Sequence, residues 1–336
     1  MKSIEAQRAA SFRRRICVIF PGALGDFICF LPALHALARA ATVDIFARSE
    51  FADIAPQGVT VASLERPEVG KLFHFEAVDD AQVKRFFRGY DAVYSWFASR
   101  NEEFVLRLQS VTGGRARVFP FRPSVAEGHQ ADYYLNSVSH LDGFSAQPVV
   151  ALRAEAICWA DRFCARHSLQ SRPVLAIAPG SGARAKNWPA EFFLTVAHWW
   201  RQATGGTVLL LIGPVEQENG GAEPLQSDCA VASNLSLAQA AALLARSDIY
   251  LGNDSGVSHL AAALGVRTVA LFGPSDADQW APRGEKVILL RRGIECSPCQ
   301  EATMKHCPHR ACLTELHPEE VIATLARLAQ VITLTR

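Results

Sequence analysis

The chain has 336 residues, 49% of them hydrophobic and 20% charged, with a formal net charge of +1. That length allows one large or two medium domains with real cores, and the composition is that of an ordinary globular protein. A net charge near zero excludes the global basic field of a nucleic-acid binder and the repulsion of an acidic tail.

Residues 1–14 read as a flexible basic N-terminus. Arg13, Arg14 and Arg15 form a short cationic run, open to two readings, a solvated terminus or a contact with an anionic surface. The apolar stretch 16–37 is interrupted by Pro21, Gly22, Gly25, Asp26 and Pro32, which predicts neither a signal-peptide core nor a membrane span. In chain order the first half predicts a strand at 15–20, a helix at 26–40 and a strand at 42–48. Pro32 inside that helix predicts a kink or a later start. A helix at 79–89, strand 91–98, helix 101–111, strand 115–121 and helices at 131–141 and 151–169 follow.

The pattern restarts at Arg172-Pro173. Strand 174–178 leads to a helix at 189–203 with Pro189 in its first turn, then strand 207–213. Helix 237–246, strand 248–252, helix 256–264 and strands 267–273 and 286–291 follow. A terminal helix at 317–332 has Pro318, Glu319 and Glu320 in its first turn. Continuous Val/Ile/Leu runs alternating with helices predict parallel sheets covered on both faces. The expected fold class is therefore α/β, with two doubly wound, Rossmann-like domains at 15–170 and 171–336. Ligands then bind beyond the carboxyl ends of the strands, where glycine-containing loops meet helix N-termini.

Four such loops carry candidate chemistry. Pro21-Gly22-Ala23-Leu24-Gly25-Asp26 follows the first strand. Asp26 at the helix start suits either an N-cap or a general base. Pro179-Gly180-Ser181-Gly182-Ala183-Arg184-Ala185-Lys186-Asn187-Trp188-Pro189 combines glycines, a serine and cations before a helix. It can hold a diphosphate, with Lys186 as point charge, or be a solvated loop; its spacing is not that of a P-loop. Gly252-Asn253-Asp254-Ser255-Gly256-Val257-Ser258-His259-Leu260 ends a strand and opens a helix, so the amides of Ser255, Gly256 and Val257 point at an anion. His259 is either packed in the core or beside that ligand. Glu216, after Gly213-Pro214-Val215, is a ribose acceptor or a surface carboxylate.

Gly25-Asp26 with Leu31-Pro32-Ala33-Leu34, then Pro179-Gly180-Ser181 with Lys186-Asn187-Trp188-Pro189, then residues 253–260, occur in that order. Across roughly residues 14–325 the chain resembles glycosyltransferase family 9, the ADP-heptose:lipopolysaccharide heptosyltransferases. The resemblance implies a GT-B fold, its two domains facing across a cleft, and an inverting transfer that needs no metal cofactor for catalysis. It implies that Asp26 is the general base on an acceptor-binding first domain, with acceptor loops at 49–75 and 96–130. On the second, donor-binding domain it implies phosphate contacts from Ser181, Gly182 and Lys186, a ribose contact from Glu216, and a loop of Asp254, Ser255, Gly256 and Val257 gripping sugar and diphosphate beside His259. Gly182 departs from the hydroxyl residue common there. Leu235 stands where methionine often lines the adenine pocket. No Asp-x-Asp that would suggest a metal-bound donor is expected.

Cys296-x2-Cys299-x7-Cys307-x4-Cys312 has the ligand types of a structural zinc or iron knuckle; the alternative is reduced thiols packed in a loop. The nine cysteines suit reduced thiols in a cytoplasm better than a disulfide framework. The resemblance implies a nucleotide-sugar donor, ADP-heptose, and a lipopolysaccharide-core or other glycan acceptor. The setting is cytoplasmic, with peripheral contact at the inner membrane leaflet. Two competing readings are an autotransporter-modifying protein heptosyltransferase, raised by the cysteines, and a non-catalytic nucleotide-sugar-binding protein, opposed by the presence of both Asp26 and Lys186.

Overall fold

The computed structural model describes residues 14–123, 128–138, 143, 145–213 and 229–335. Contacts divide the chain into two compact units, Met1–Ala146 and Gln147–Arg336. The expected N-terminal segment 1–14 lies outside the described residues apart from Arg14.

The first unit is built on a parallel sheet of β1 (Arg15–Ile19), β2 (Thr42–Ala47), β3 (Val59–Ser63), β4 (Ala92–Ser95) and β5 (Ala116–Val118), in the order β3-β2-β1-β4-β5. Ile16 sits opposite Val43 on one side and Ala92 on the other. Helices cover both faces, so Cys17, Val18 and Ile19 are wholly buried. This is why the strand reads as a continuous apolar run. Helix α1 (Leu24–Ala40) follows β1 and is buried along most of its length. It begins two residues earlier than expected and runs through Pro32, so the late start is not realised. Helices α2 (Ala81–Arg88), α3 (Glu102–Thr112) and α4 (Gln130–Ser137) complete the layers, and α4 packs along α1.

Arg15 belongs to β1 rather than to a solvated arm. Its Nη2 lies 2.6 Å from the Asp44 carboxylate, and its guanidinium covers the Tyr90 ring at 4.8 Å. The Tyr90 hydroxyl donates to the same carboxylate at 2.9 Å. The nearly buried Asp44 is therefore satisfied by a cation and a phenol, as a charge between two layers must be.

The second unit holds six parallel strands, β6 (Val174–Ala178), β7 (Thr207–Ile212), β8 (Ala230–Ser233), β9 (Ile249–Asn253), β10 (Arg267–Phe272) and β11 (Val287–Arg291). Their order is β11-β10-β9-β6-β7-β8. Around them lie α5 (Ala154–Arg166), α6 (Ala190–Thr204), α7 (Leu237–Leu244), α8 (Gly256–Ala263) and the terminal α9 (Pro318–Thr335). Leu175, Ile177, Trp200, Leu210, Leu251, Val269 and Leu325 meet in one core. Helix α5, grouped with the first domain by sequence, packs on α7, and its Asp161 meets Arg246 at 2.7 Å. The compact units accordingly divide at Ala146/Gln147, before this helix, and not near residue 170. No helix among the described residues is long and apolar enough to cross a membrane.

Candidate active site

In each sheet the strand order reverses once. In the first unit β2 and β3 build outward on one side of β1, and β4 and β5 on the other. In the second unit β7 and β8 lie on one side of β6, and β9, β10 and β11 on the other. Connections leave such a switch point in opposite directions and open a crevice at the strand ends. The loop after β1 leads into the first turn of α1, which carries Asp26. The loops after β6 and β9 carry Ser181, Lys186 and Asp254.

Asp26 is the fourth residue counted from the Ala23 cap, not the cap itself. Its Oδ2 accepts the Ala23 N–H at 3.0 Å, and its Oδ1 lies 3.7 Å from Nη2 of Arg122. Only 9% of the residue is exposed. Gly22 permits this turn, because a Cβ there would stand 2.7 Å from the Asp26 Cβ and against the Phe20 ring. Phe20, Phe30, Trp96, Phe121 and Tyr134 pack as an aromatic wall beside it. Burial, and then the Asp26 charge, push the Tyr134 phenol far up, so it stays protonated. Arg122 has no role assigned from the sequence. It lies past the end of β5, 96 residues from Asp26 in the chain, and only the β1-β4-β5 order signals their approach.

In the second unit Lys186 ends a short 3₁₀ turn, Arg184–Lys186. Its Nζ lies 2.6 Å from Oδ2 of Asp254, with the lysine side chain 28% and the aspartate 7% exposed. The structure thus brings together two predicted donor residues 68 positions apart. The Ser181 hydroxyl lies 2.8 Å from the Ala183 carbonyl and 2.7 Å from Oδ1 of Asn187. One hydroxyl has one proton, so it donates to one of these two oxygens at a time. Gly182 is open: a Cβ there meets nothing within 4 Å.

Asn253 fixes both ends of the loop. Its amide nitrogen donates to the Pro179 carbonyl at 2.7 Å, and its oxygen accepts the Trp188 N–H at 2.9 Å. One fully buried side chain ties both ends of the segment carrying Ser181 and Lys186. Trp188 is held again by its indole N–H, which donates to the Leu316 carbonyl at 2.8 Å. Asn253 lies inside the third sequence motif, but nothing in its spacing announces this task.

Ser255 caps α8, accepting the Ser258 N–H at 3.4 Å. The amides of Gly256 and Val257 fall in the first turn, where no carbonyl lies four residues back to receive them. His259, one turn in, is 4% exposed. Leu235 is half-buried between β8 and α7. Glu216 lies outside the described residues.

The segment 296–312 runs from β11 to α9. Cys296 is exposed, Cys299 and Cys307 are half-buried, and Cys312 is buried. Burial raises the Cys299 thiol and pushes that of Cys312 up to about 11, with the neighbouring cysteines adding to both. The four share one neighbourhood, yet among the described residues no group of three or more His, Cys, Asp or Glu side chains is arranged to hold a metal ion. All nine cysteines are free thiols. The chain does contain an Asp-x-Asp outside these loops, at Asp276-Ala277-Asp278. Asp276 accepts the Asp278 N–H at 2.9 Å as a helix cap, and Asp278 points at Arg291 at 3.8 Å.

Residues 132–309, more than half of the chain, match the family described as "Glycosyltransferase family 9 (heptosyltransferase)". The chain belongs to glycosyltransferase family 9. Within this family, lipooligosaccharide heptosyltransferase 2 of Campylobacter jejuni is 32% identical over 161 residues, which is 45% of this chain and 49% of that protein. The chain spans about half the length of the curated relatives it matches. Among solved structures, a family 9 glycosyl transferase from Veillonella parvula superposes with a TM-score of 0.75 at 22% identity, covering 94% of this chain and 97% of its own. The Escherichia coli ADP-heptose lipopolysaccharide heptosyltransferase II gives 0.67 at 20%, covering 95% and 99%. At these identities the likeness establishes the fold, that of the GT-B enzymes of family 9.

Proposed function

We propose that this family 9 chain is an inverting glycosyltransferase that moves a heptose from ADP-heptose to an acceptor hydroxyl, in the building of a lipopolysaccharide inner core. The observation that carries the proposal is the Lys186–Asp254 pair at the switch point of the second unit, beside the first-turn amides of α8. A cation and helix-start amides suit a leaving diphosphate, whose negative charge grows as the sugar bond breaks. Ser181 and Gly182 line the diphosphate, Asp254 and Ser255 reach the sugar, and Leu235 and Glu216 belong to the nucleoside.

In this reading Asp26 takes the proton of the acceptor hydroxyl as its oxygen bonds to the anomeric carbon. The bond from that carbon to the diphosphate oxygen breaks on the opposite face, and ADP leaves with the electron pair. Work at the inner leaflet, from the cytoplasmic side, follows from such an acceptor. The heptosyltransferase names of the relatives support the sugar; the nucleotide and acceptor are the proposal's own.

A calorimetric screen tests it. ADP-heptose is expected to bind more tightly than UDP- or GDP-sugars, and to yield product with a core oligosaccharide lacking heptose. Tighter binding of a UDP-sugar, or binding without transfer to any glycan, would overturn the reading; transfer to a peptide alone would move it to a protein acceptor. Transfer is also expected to survive EDTA, because Lys186 and backbone dipoles meet the phosphate charge. A loss that magnesium restores contradicts this mechanism. A loss that only zinc or iron restores, with unfolding, would give the four cysteines a structural metal.

A further inference from the structure

Arg310 stands between Cys307 and Cys312 with φ 46° and ψ 41°, the left-handed region that a side chain such as arginine rarely adopts and that costs about 1 kcal/mol or more. Its backbone carbonyl accepts the amides of Leu313 and Thr314 at 2.8 and 3.0 Å, starting the next helical turn. Its side chain reaches back more than 120 residues along the chain. Nη1 donates to the carbonyl of Arg184 at 3.2 Å and to that of Asn187 at 3.3 Å. These carbonyls bracket the single 3₁₀ turn on which Lys186 stands. Two more hydrogen bonds hold the same segment against the sheet ends: the Cys299 N–H donates to Pro274 at 2.8 Å and the Ser297 hydroxyl to Gly273 at 2.5 Å.

We infer that Arg310 is a positioning residue for Lys186, and that the cysteine-rich segment thereby belongs to the nucleotide half of the site. Asn253 fixes the two ends of the loop but leaves its middle, residues 184–187, to other partners. Lys186 has Asp254 at its tip, and Arg310 fixes the backbone at its root. A guanidinium suits this task, since one nitrogen can donate to two carbonyls at once without taking an acceptor that the loop needs. The strained backbone at Arg310 is the local cost of aiming that side chain at the loop.

The inference rests on Lys186 meeting the diphosphate, and the experiment separates the two claims. ADP is titrated calorimetrically into wild type, R310A, K186A and the double variant, with melting temperatures measured alongside. R310A is expected to weaken ADP about tenfold, and the double variant to bind no more weakly than K186A, a coupling of about 1.4 kcal/mol. R310K should recover part of the affinity, because an ammonium can donate to both carbonyls. R310G guards against misfolding. Glycine relieves the left-handed backbone while deleting the side chain, so its melting temperature should hold or rise as ADP affinity falls. Wild-type affinity in R310G and R310A, with K186A weakened, overturns the inference and leaves the diphosphate reading standing. Additive losses in the double variant also overturn it, since they mean that Arg310 acts elsewhere. Unchanged ADP affinity in K186A overturns both.

Discussion

Asp26→Asn is expected to lower turnover by about 10²–10⁴-fold, the loss typical when a general base is removed, while fold and ADP affinity remain. The geometry makes this substitution decisive. The structural task of Asp26 is to accept the Ala23 N–H through one oxygen, and the amide oxygen of asparagine accepts it equally well. Proton removal needs a carboxylate, which asparagine lacks. The contact with Arg122 at 3.7 Å is long, and Arg122 is more than half exposed, so its loss costs little stability. Initial rates under saturating donor, paired with a melting curve, check the outcome. Normal turnover in a folded D26N variant would make Asp26 a helix-start residue and nothing more.

Lys186→Ala should weaken ADP by about 10- to 150-fold, since a charge-assisted hydrogen bond to phosphate contributes about 1.5–3 kcal/mol. It should also lower stability, because Asp254 at 7% exposure is left without its cation; an orphaned buried acceptor costs about 1–3 kcal/mol. The two effects separate in K186A/D254N. Asparagine removes the uncompensated charge and should recover most of the stability, whereas ADP affinity should stay low. Calorimetry and thermal melting of the three variants test both parts. ADP binding restored in the double variant would mean that Lys186 serves only to neutralise Asp254.

The buried strands and the helices between them were legible because β1, β6, β7, β9 and β10 are covered on both faces and therefore apolar without interruption. The two strands that the pattern misses, β3 and β8, are edge strands with half-exposed residues. Neither shows a long apolar run, so tertiary pairing, not periodicity, makes them strands. Helix α5 was legible as a helix but not as part of the second unit, since its partner α7 lies some 70 residues on. At the site, the loops were readable from their glycines and their place between strand and helix. The partners that hold them were not. Arg122, Asn253 and Arg310 act across 65 to 126 residues of chain, and no local spacing encodes such a contact. The cysteine spacing indicated a clustered segment, and the fold does bring Cys296, Cys299, Cys307 and Cys312 into one neighbourhood.

The Asn253 clamp also has a thermodynamic consequence. A glycine-containing loop of this length, left loose, would have to be ordered by the nucleotide, and coupled ordering subtracts from affinity and adds a large negative heat-capacity change. Here one side chain has already closed the loop between Pro179 and Trp188 as part of folding. The ordering entropy is thus charged to the stability of the unit and not to the ligand. The heat capacity of nucleotide binding should then reflect only the surface that the nucleotide itself buries, and association should proceed without a slow conformational phase.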